Sequence, residues 1–139
     1  MRVGDALLLG TDMVKSQKIL VPAYEDALGV TAEFNKNVLA RLNRELDADF
    51  DLDAFRHVAV WNKRCSRIEM HLESVGPQNV FLAAIDLDVN FAAGERIHTE
   101  NSYKYTPEMV EVILRDSGFK LEQSWHDRQK WFAVHLARV

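Results

Sequence analysis

The sequence predicts an α/β fold of α+β character, the end of a parallel sheet interrupted by an inserted α+β unit. Three observations predict it. The apolar run Ala6-Leu7-Leu8-Leu9-Gly10, closed by Thr11 and Asp12, fits a strand buried on both faces. Val30, Phe34, Val38, Leu42 and Leu46 then recur every four residues with Leu39 beside them, the signature of an amphipathic helix. From Phe55 to Phe91 the apolar period shortens toward two, as it does in strands.

Each element follows from local chemistry. Residues 16 to 26 predict a short helix, and Gly29 separates it from the long one. Phe55, Val58 and Val60, then Ile68, Met70 and Leu72, then Val80, Leu82 and Ile85 predict an antiparallel meander, with turns at Asn62-Lys63-Arg64 and Gly76-Pro77. Val89 and Phe91 add a short strand, and Glu95 to Glu100 another. Thr106-Pro107-Glu108 supplies an N-cap, a first-turn proline and an acid suited to the helix dipole, while Gly118 stands where a C′ residue belongs; 107 to 117 is therefore a helix. Phe119 to Trp125 and Trp131 to Val139 complete a hairpin around Asp127-Arg128-Gln129, which Asp127 and Trp131 decorate and pack.

Composition excludes several function classes. The 139 residues, 47% hydrophobic and 27% charged, are enough for one real core. Lys+Arg 17 against Asp+Glu 21 gives a net charge of -4 with no basic stripe, which argues against nucleic acid as a partner. Cys65, the single cysteine, precludes an internal disulfide and suits a reducing compartment. The apolar runs fall short of a bilayer span, and the opening residues lack a secretory-leader pattern, so no membrane association and a soluble, cytoplasmic protein are expected. The five histidines include no i, i+4 pair, and His98-Thr99-Glu100 has no third ligand nearby in sequence, so no metal site is expected.

The segment that carries chemistry is Ile97-His98-Thr99-Glu100-Asn101-Ser102-Tyr103-Lys104-Tyr105, a polar stretch between a strand and a capped helix. Core strands do not have this composition, and binding residues gather where rigid elements end. In extended geometry His98, Glu100 and Ser102 would share one face, with Thr99, Asn101 and Tyr103 on the other. A carboxylate and a hydroxyl so placed can address one heteroaromatic ring, the first accepting an N–H and the second donating or accepting. A solvated helix-entry loop is the competing reading of the same residues. For Met70, between Ile68 and Leu72, core packing and pocket lining are compatible.

This segment resembles the signature of the histidine-specific, S-adenosylmethionine (SAM)-dependent N-methyltransferases, the family of the histidine-trimethylating enzyme of the ergothioneine pathway. Ala6-Leu7-Leu8-Leu9-Gly10-Thr11-Asp12, Pro22-Ala23-Tyr24-Glu25-Asp26, Gly29-Val30-Thr31-Ala32-Glu33-Phe34-Asn35, Asp49-Phe50-Asp51-Leu52-Asp53-Ala54-Phe55-Arg56-His57 and Arg67-Ile68-Glu69-Met70-His71-Leu72 resemble the same family in the same order. The resemblance implies that Glu100 and Ser102 contact a substrate imidazole, that Tyr24 helps hold an amino-acid carboxylate, and that Met70 lines the pocket. It implies a Rossmann-like, class I methyltransferase sheet into which a substrate-binding domain is inserted: residues 1-15 and 106-139 would belong to the sheet, and residues 16-105 to most of the substrate domain.

SAM is the cofactor of the full-length family, and none is expected for this chain alone. Such sites need a Gly-rich turn after a first strand and an acid ending the second. The six glycines here are scattered singly, and the family's upstream asparagine for the substrate amino group is absent. The expectation is therefore the C-terminal, substrate-facing portion of a methyltransferase that acts on the α-amine of histidine or a related amino acid, with no catalytic residues in isolation. The alternative is a non-catalytic imidazole-, amino-acid- or partner-binding module of the same descent. A histidine-like small molecule is the expected partner, and a homodimer is expected through the edge of strand 6-10.

Overall fold

The computed structural model describes residue 2 and residues 4-139; Met1 and Val3, which the expected segment 1-15 includes, lie outside the described residues. In chain order the elements are β1 (Ala6–Asp12), α1 (Gln17–Leu20), α2 (Val30–Leu46), β2 (Phe55–Asn62), β3 (Arg67–Ser74), β4 (Gln78–Leu82), β5 (Leu87–Phe91), β6 (Arg96–Tyr103), α3 (Pro107–Asp116), β7 (Lys120–His126) and β8 (Phe132–Arg138). The fold is mixed α+β. Two compact units are present: Met1–Ser16, Lys63–Arg67 and Tyr103–Val139 form one, and Gln17–Asn62 with Ile68–Ser102 the other. No helix among the described residues is long and apolar enough to cross a membrane.

In the first unit the strand order is β1-β8-β7, antiparallel throughout, with Ala6 opposite Arg138 and Asp12 opposite Phe132. The β7–β8 turn is organised by Asp127, whose carboxylate accepts the N–H groups of Gln129, Trp131 and Phe132. Thr106 caps α3 by accepting the Met109 N–H, and Gly118, at φ +82°, takes the left-handed position beyond its end. Val110 and Leu114 of α3 bury with Ala137 against Leu7, Leu9 and Leu121. The expectation that the first strand is buried on both faces fails. Leu8, between Leu7 and Leu9, is 68% exposed, and β1 is an edge strand paired antiparallel to β8 alone among the named strands. An apolar residue at every position conceals the alternation that would have revealed an uncovered face. A parallel bridge, Met13 to Tyr105, extends the chain beyond β1.

In the second unit β2, β3 and β6 form one sheet, in that order, and β4 pairs antiparallel with β5 in another. The meander read from the sequence is therefore two sheets. The backbone of Ser74 is already occupied, its N–H by Glu95 O and its carbonyl by Gly94 N–H, so the chain leaving Gly76 cannot pair back onto β3. The core gathers Leu39, Phe50, Phe55, Leu72, Val80 and Leu82. The short helix also ends earlier than expected. α1 stops at Leu20 and a 3₁₀ turn, Val21–Ala23, follows, because Pro22 has no N–H to continue an α-helix. α2 forms over 30-46, but its apolar stripe divides. Leu39, Leu42 and Leu46 pack into the core, whereas Val30, Phe34 and Val38 remain exposed.

Candidate functional site

Tyr24 is the best-held of the four expected site residues, and its neighbours do the holding. Its N–H donates to Val21 O at 2.9 Å, closing the 3₁₀ turn. On one side, Glu25 accepts the Ala59 N–H at 3.0 Å, which fastens the segment to β2. Beyond it, the Asp26 carboxylate accepts the Val30 N–H at 2.9 Å and the Thr31 N–H at 2.8 Å, at the start of α2. Hydrogen bonds from the Thr31 side chain, then from the Thr31 and Val30 backbone, lower the Asp26 pKa to about 2, so it is an anion throughout the physiological range.

A relay of hydrogen bonds completes the support. Asn35, buried inside α2, donates from Nδ2 to His57 Nδ1 at 2.9 Å and to His71 O at 3.1 Å. With Nδ1 accepting, His57 carries its proton on Nε2 and donates it to Tyr24 O at 2.8 Å. The backbone of Tyr24 is thus tied to β2 and α2 together. Sequence reasoning missed Asn35 and His57. The signal was a polar residue beside Leu39 on the core-facing side of a helix, a position that requires a buried partner.

With its backbone fixed, Tyr24 places its hydroxyl 2.7 Å from Ser102 Oγ, joining residues far apart in sequence. Its ring packs against the buried cluster of Leu20, Ala59, Ile68 and Met70. Tyr24, Ser102 and Met70 are thereby brought together. Met70 itself is almost wholly enclosed, which favours packing over contact with a ligand, and its carbonyl accepts from Thr99 Oγ1 at 2.9 Å.

Glu100 is placed differently. It lies exposed on β6 and lines an open groove of about 430 Å³ with Phe34, Asn35, Val38 and Thr99. That groove shares no lining residue with the pocket around Tyr24, Asp26 and His57. Exposure along β6 alternates as far as Glu100 and then slips by one at Asn101, so that Glu100 is exposed and Ser102 half-buried. His98 Nε2 meets Asn101 Oδ1 at 2.8 Å, a contact between residues three apart that regular alternation would put on opposite faces. The exposed stripe of Phe34 and Val38 supplies the groove's apolar wall. The same residues read from sequence alone as core.

Chemically, the Tyr24 side offers paired hydroxyls with Ser102, and the groove offers the Glu100 carboxylate beside the aromatic face of Phe34.

Comparison with known proteins places the chain in a family. A family model described as histidine-specific methyltransferase, SAM-dependent, matches residues 1–139. The chain is 55% identical over 134 residues to a histidine N-alpha-methyltransferase of Mycolicibacterium smegmatis, which covers 96% of this chain and 42% of that protein. It is 53% identical over 137 residues to a histidine N-alpha-methyltransferase of Mycobacterium tuberculosis, covering 99% of this chain and 43% of the relative. The chain thus spans less than half the length of either relative. Matched along its whole length by the family model, it belongs to the histidine-specific, SAM-dependent methyltransferases.

Proposed function

We propose that this chain is the C-terminal, substrate-recognising portion of a SAM-dependent methyltransferase acting on the α-amine of histidine or a related amino acid. The observation that carries the reading is the Tyr24–Ser102 hydrogen bond, within a chain that matches the family throughout. In this reading Glu100 accepts an imidazole N–H and Ser102 answers the second ring nitrogen. Tyr24 supports Ser102 and reaches toward the amino-acid carboxylate, and Met70 closes the wall behind them. The unit of residues 17-62 and 68-102 is then the substrate domain, and the sheet of β1, β8 and β7 with α3 is the end of a Rossmann-like core.

The residues present do not fit a SAM cradle. Gly10 lies inside β1, where a Cβ would approach the Phe132 ring to 2.9 Å, so packing rather than ligand approach explains that glycine. Gly4, Gly29, Gly94 and Gly118 adopt positive φ singly, and none belongs to a Gly-rich strand-to-helix turn. No methyl-transfer step is assigned to these residues. Recognition, not catalysis, is the role proposed for the chain by itself. We extend the proposal to assembly: the edge of β1 away from β8, beside exposed Leu8, is covered by a second copy of the chain when nothing else covers it.

Thermal denaturation with added ligands tests the recognition role. Millimolar histidine is expected to raise the melting temperature, while SAM at the same concentration leaves it unchanged. A rise with SAM and none with histidine would reverse the assignment.

A further inference from the structure

Glu69 and His71 stand two residues apart on β3, so their side chains share the sheet face opposite buried Ile68, Met70 and Leu72. His98, on neighbouring β6, meets them there, its ring centroid 4.7 Å from that of His71. One ligand atom from each of the three residues lies within 4.8 Å of the others. Donor atoms around a tetrahedral ion with bonds of about 2.0–2.2 Å are separated by about 3.3–3.6 Å, so small side-chain rotations would close the set.

Two further features prepare the group. His71 Nδ1 is sealed from solvent and has no hydrogen-bond partner among the described residues, an expensive condition that a coordinated ion would relieve. The outer contacts are also in place. Asn62 Nδ2 donates to Glu69 Oε1 at 2.8 Å, orienting the carboxylate. His98 Nε2 meets Asn101 Oδ1 at 2.8 Å, and if the imidazole donates there, its other nitrogen keeps a lone pair for a metal.

We propose that Glu69, His71 and His98 form a binding site for a divalent transition-metal ion, with zinc as the representative species. Two imidazoles and one carboxylate select borderline ions such as zinc, cobalt or nickel over magnesium or calcium, which favour all-oxygen sets. Three protein ligands leave positions for water. The ion would tie β3 to β6 two residues before Glu100. The site lies on the sheet face away from Met70, and its exposed ligand His98 also lines the groove that holds Glu100.

The test is a zinc titration of the full chain against a chromophoric chelator, in a C65S background that removes the exposed thiol. One equivalent is expected to bind at micromolar or lower concentration, undisturbed by millimolar magnesium. H98Q, and separately E69Q, should weaken binding by at least about 10-fold, the loss found even for outer partners of metal ligands. Because His98 is exposed, H98Q should fold as the wild type does in chelator, and should it not, E69Q carries the test. Cobalt substitution should give visible absorption bands of a low-coordinate nitrogen and oxygen site. Millimolar-only binding, or zinc binding unaltered by both substitutions, would overturn the assignment.

Discussion

The Tyr24 hydroxyl and the Ser102 Oγ are 2.7 Å apart, a hydrogen bond that links the turn before α2 to the end of β6. Either atom can donate, so the pair can adjust when a ligand occupies one of them. Y24F and S102A should each destabilise the chain by about 1 kcal/mol, and the double variant should cost less than the sum of the two. Urea unfolding of the four proteins checks this, with a coupling of about 0.5–1.5 kcal/mol expected for the pair.

In the other unit, Lys104 is wholly buried with its Nζ 2.8 Å from Asp12 Oδ2, and Lys15 bonds the other carboxylate oxygen. Lys104 is buried but Asp12 is about one-third exposed, so D12N, which removes the charge facing that ammonium, should destabilise by about 1–3 kcal/mol. K104M, which removes the buried charge itself, should cost clearly less. Burial pushes the Asp12 pKa up, but hydrogen bonds and charge from Lys104 and Lys15 outweigh it and the net direction is down. A carboxylate lowered on folding stabilises the native state above its unfolded pKa of about 3.9 and loses that contribution as pH falls through the folded value. Wild-type stability should therefore drop below about pH 4 more steeply than that of D12N, as denaturant midpoints would show.

His135 predicts a second pH dependence. Its Nε2 is 2.8 Å from Thr11 Oγ1 and its Nδ1 2.8 Å from Ser124 Oγ, so the neutral ring is satisfied at both nitrogens. Burial, and then the proximity of His126, lower its pKa. A histidine lowered on folding contributes full stability above its unfolded pKa of about 6.5 and loses it as pH falls toward the folded value. Melting temperature should be level above about pH 7 and decline below it, and H135Q should flatten that decline while lowering the plateau.

The sequence made the elements legible where local chemistry decides them. The Thr106-Pro107 cap, Gly118, the 30-46 periodicity and the Asp127 turn all operate within a few residues, and each is found in place. Features decided by distant partners were not legible. β1 looks the same whether one face is covered or two, the taking of Ser74's backbone by Gly94 and Glu95 is what separates β3 from β4, and Phe34 differs from Leu39 only in what lies opposite. Within the site, Tyr24 and Ser102 could be named from resemblance, but the bond joining them is a product of tertiary structure. The slip in exposure at Glu100 and Asn101 leaves no mark in a string of polar residues.

Calorimetric titration of histidine into the wild type and E100A tests imidazole recognition most directly, with leucine as a competitor of similar bulk and no ring nitrogens. Histidine should bind, leucine should not, and E100A should weaken histidine by about 10-fold or more, as expected when a charged hydrogen-bond acceptor is removed. Equal binding of histidine and leucine, or an E100A affinity equal to that of the wild type, would contradict the assignment of Glu100 and its groove to imidazole recognition.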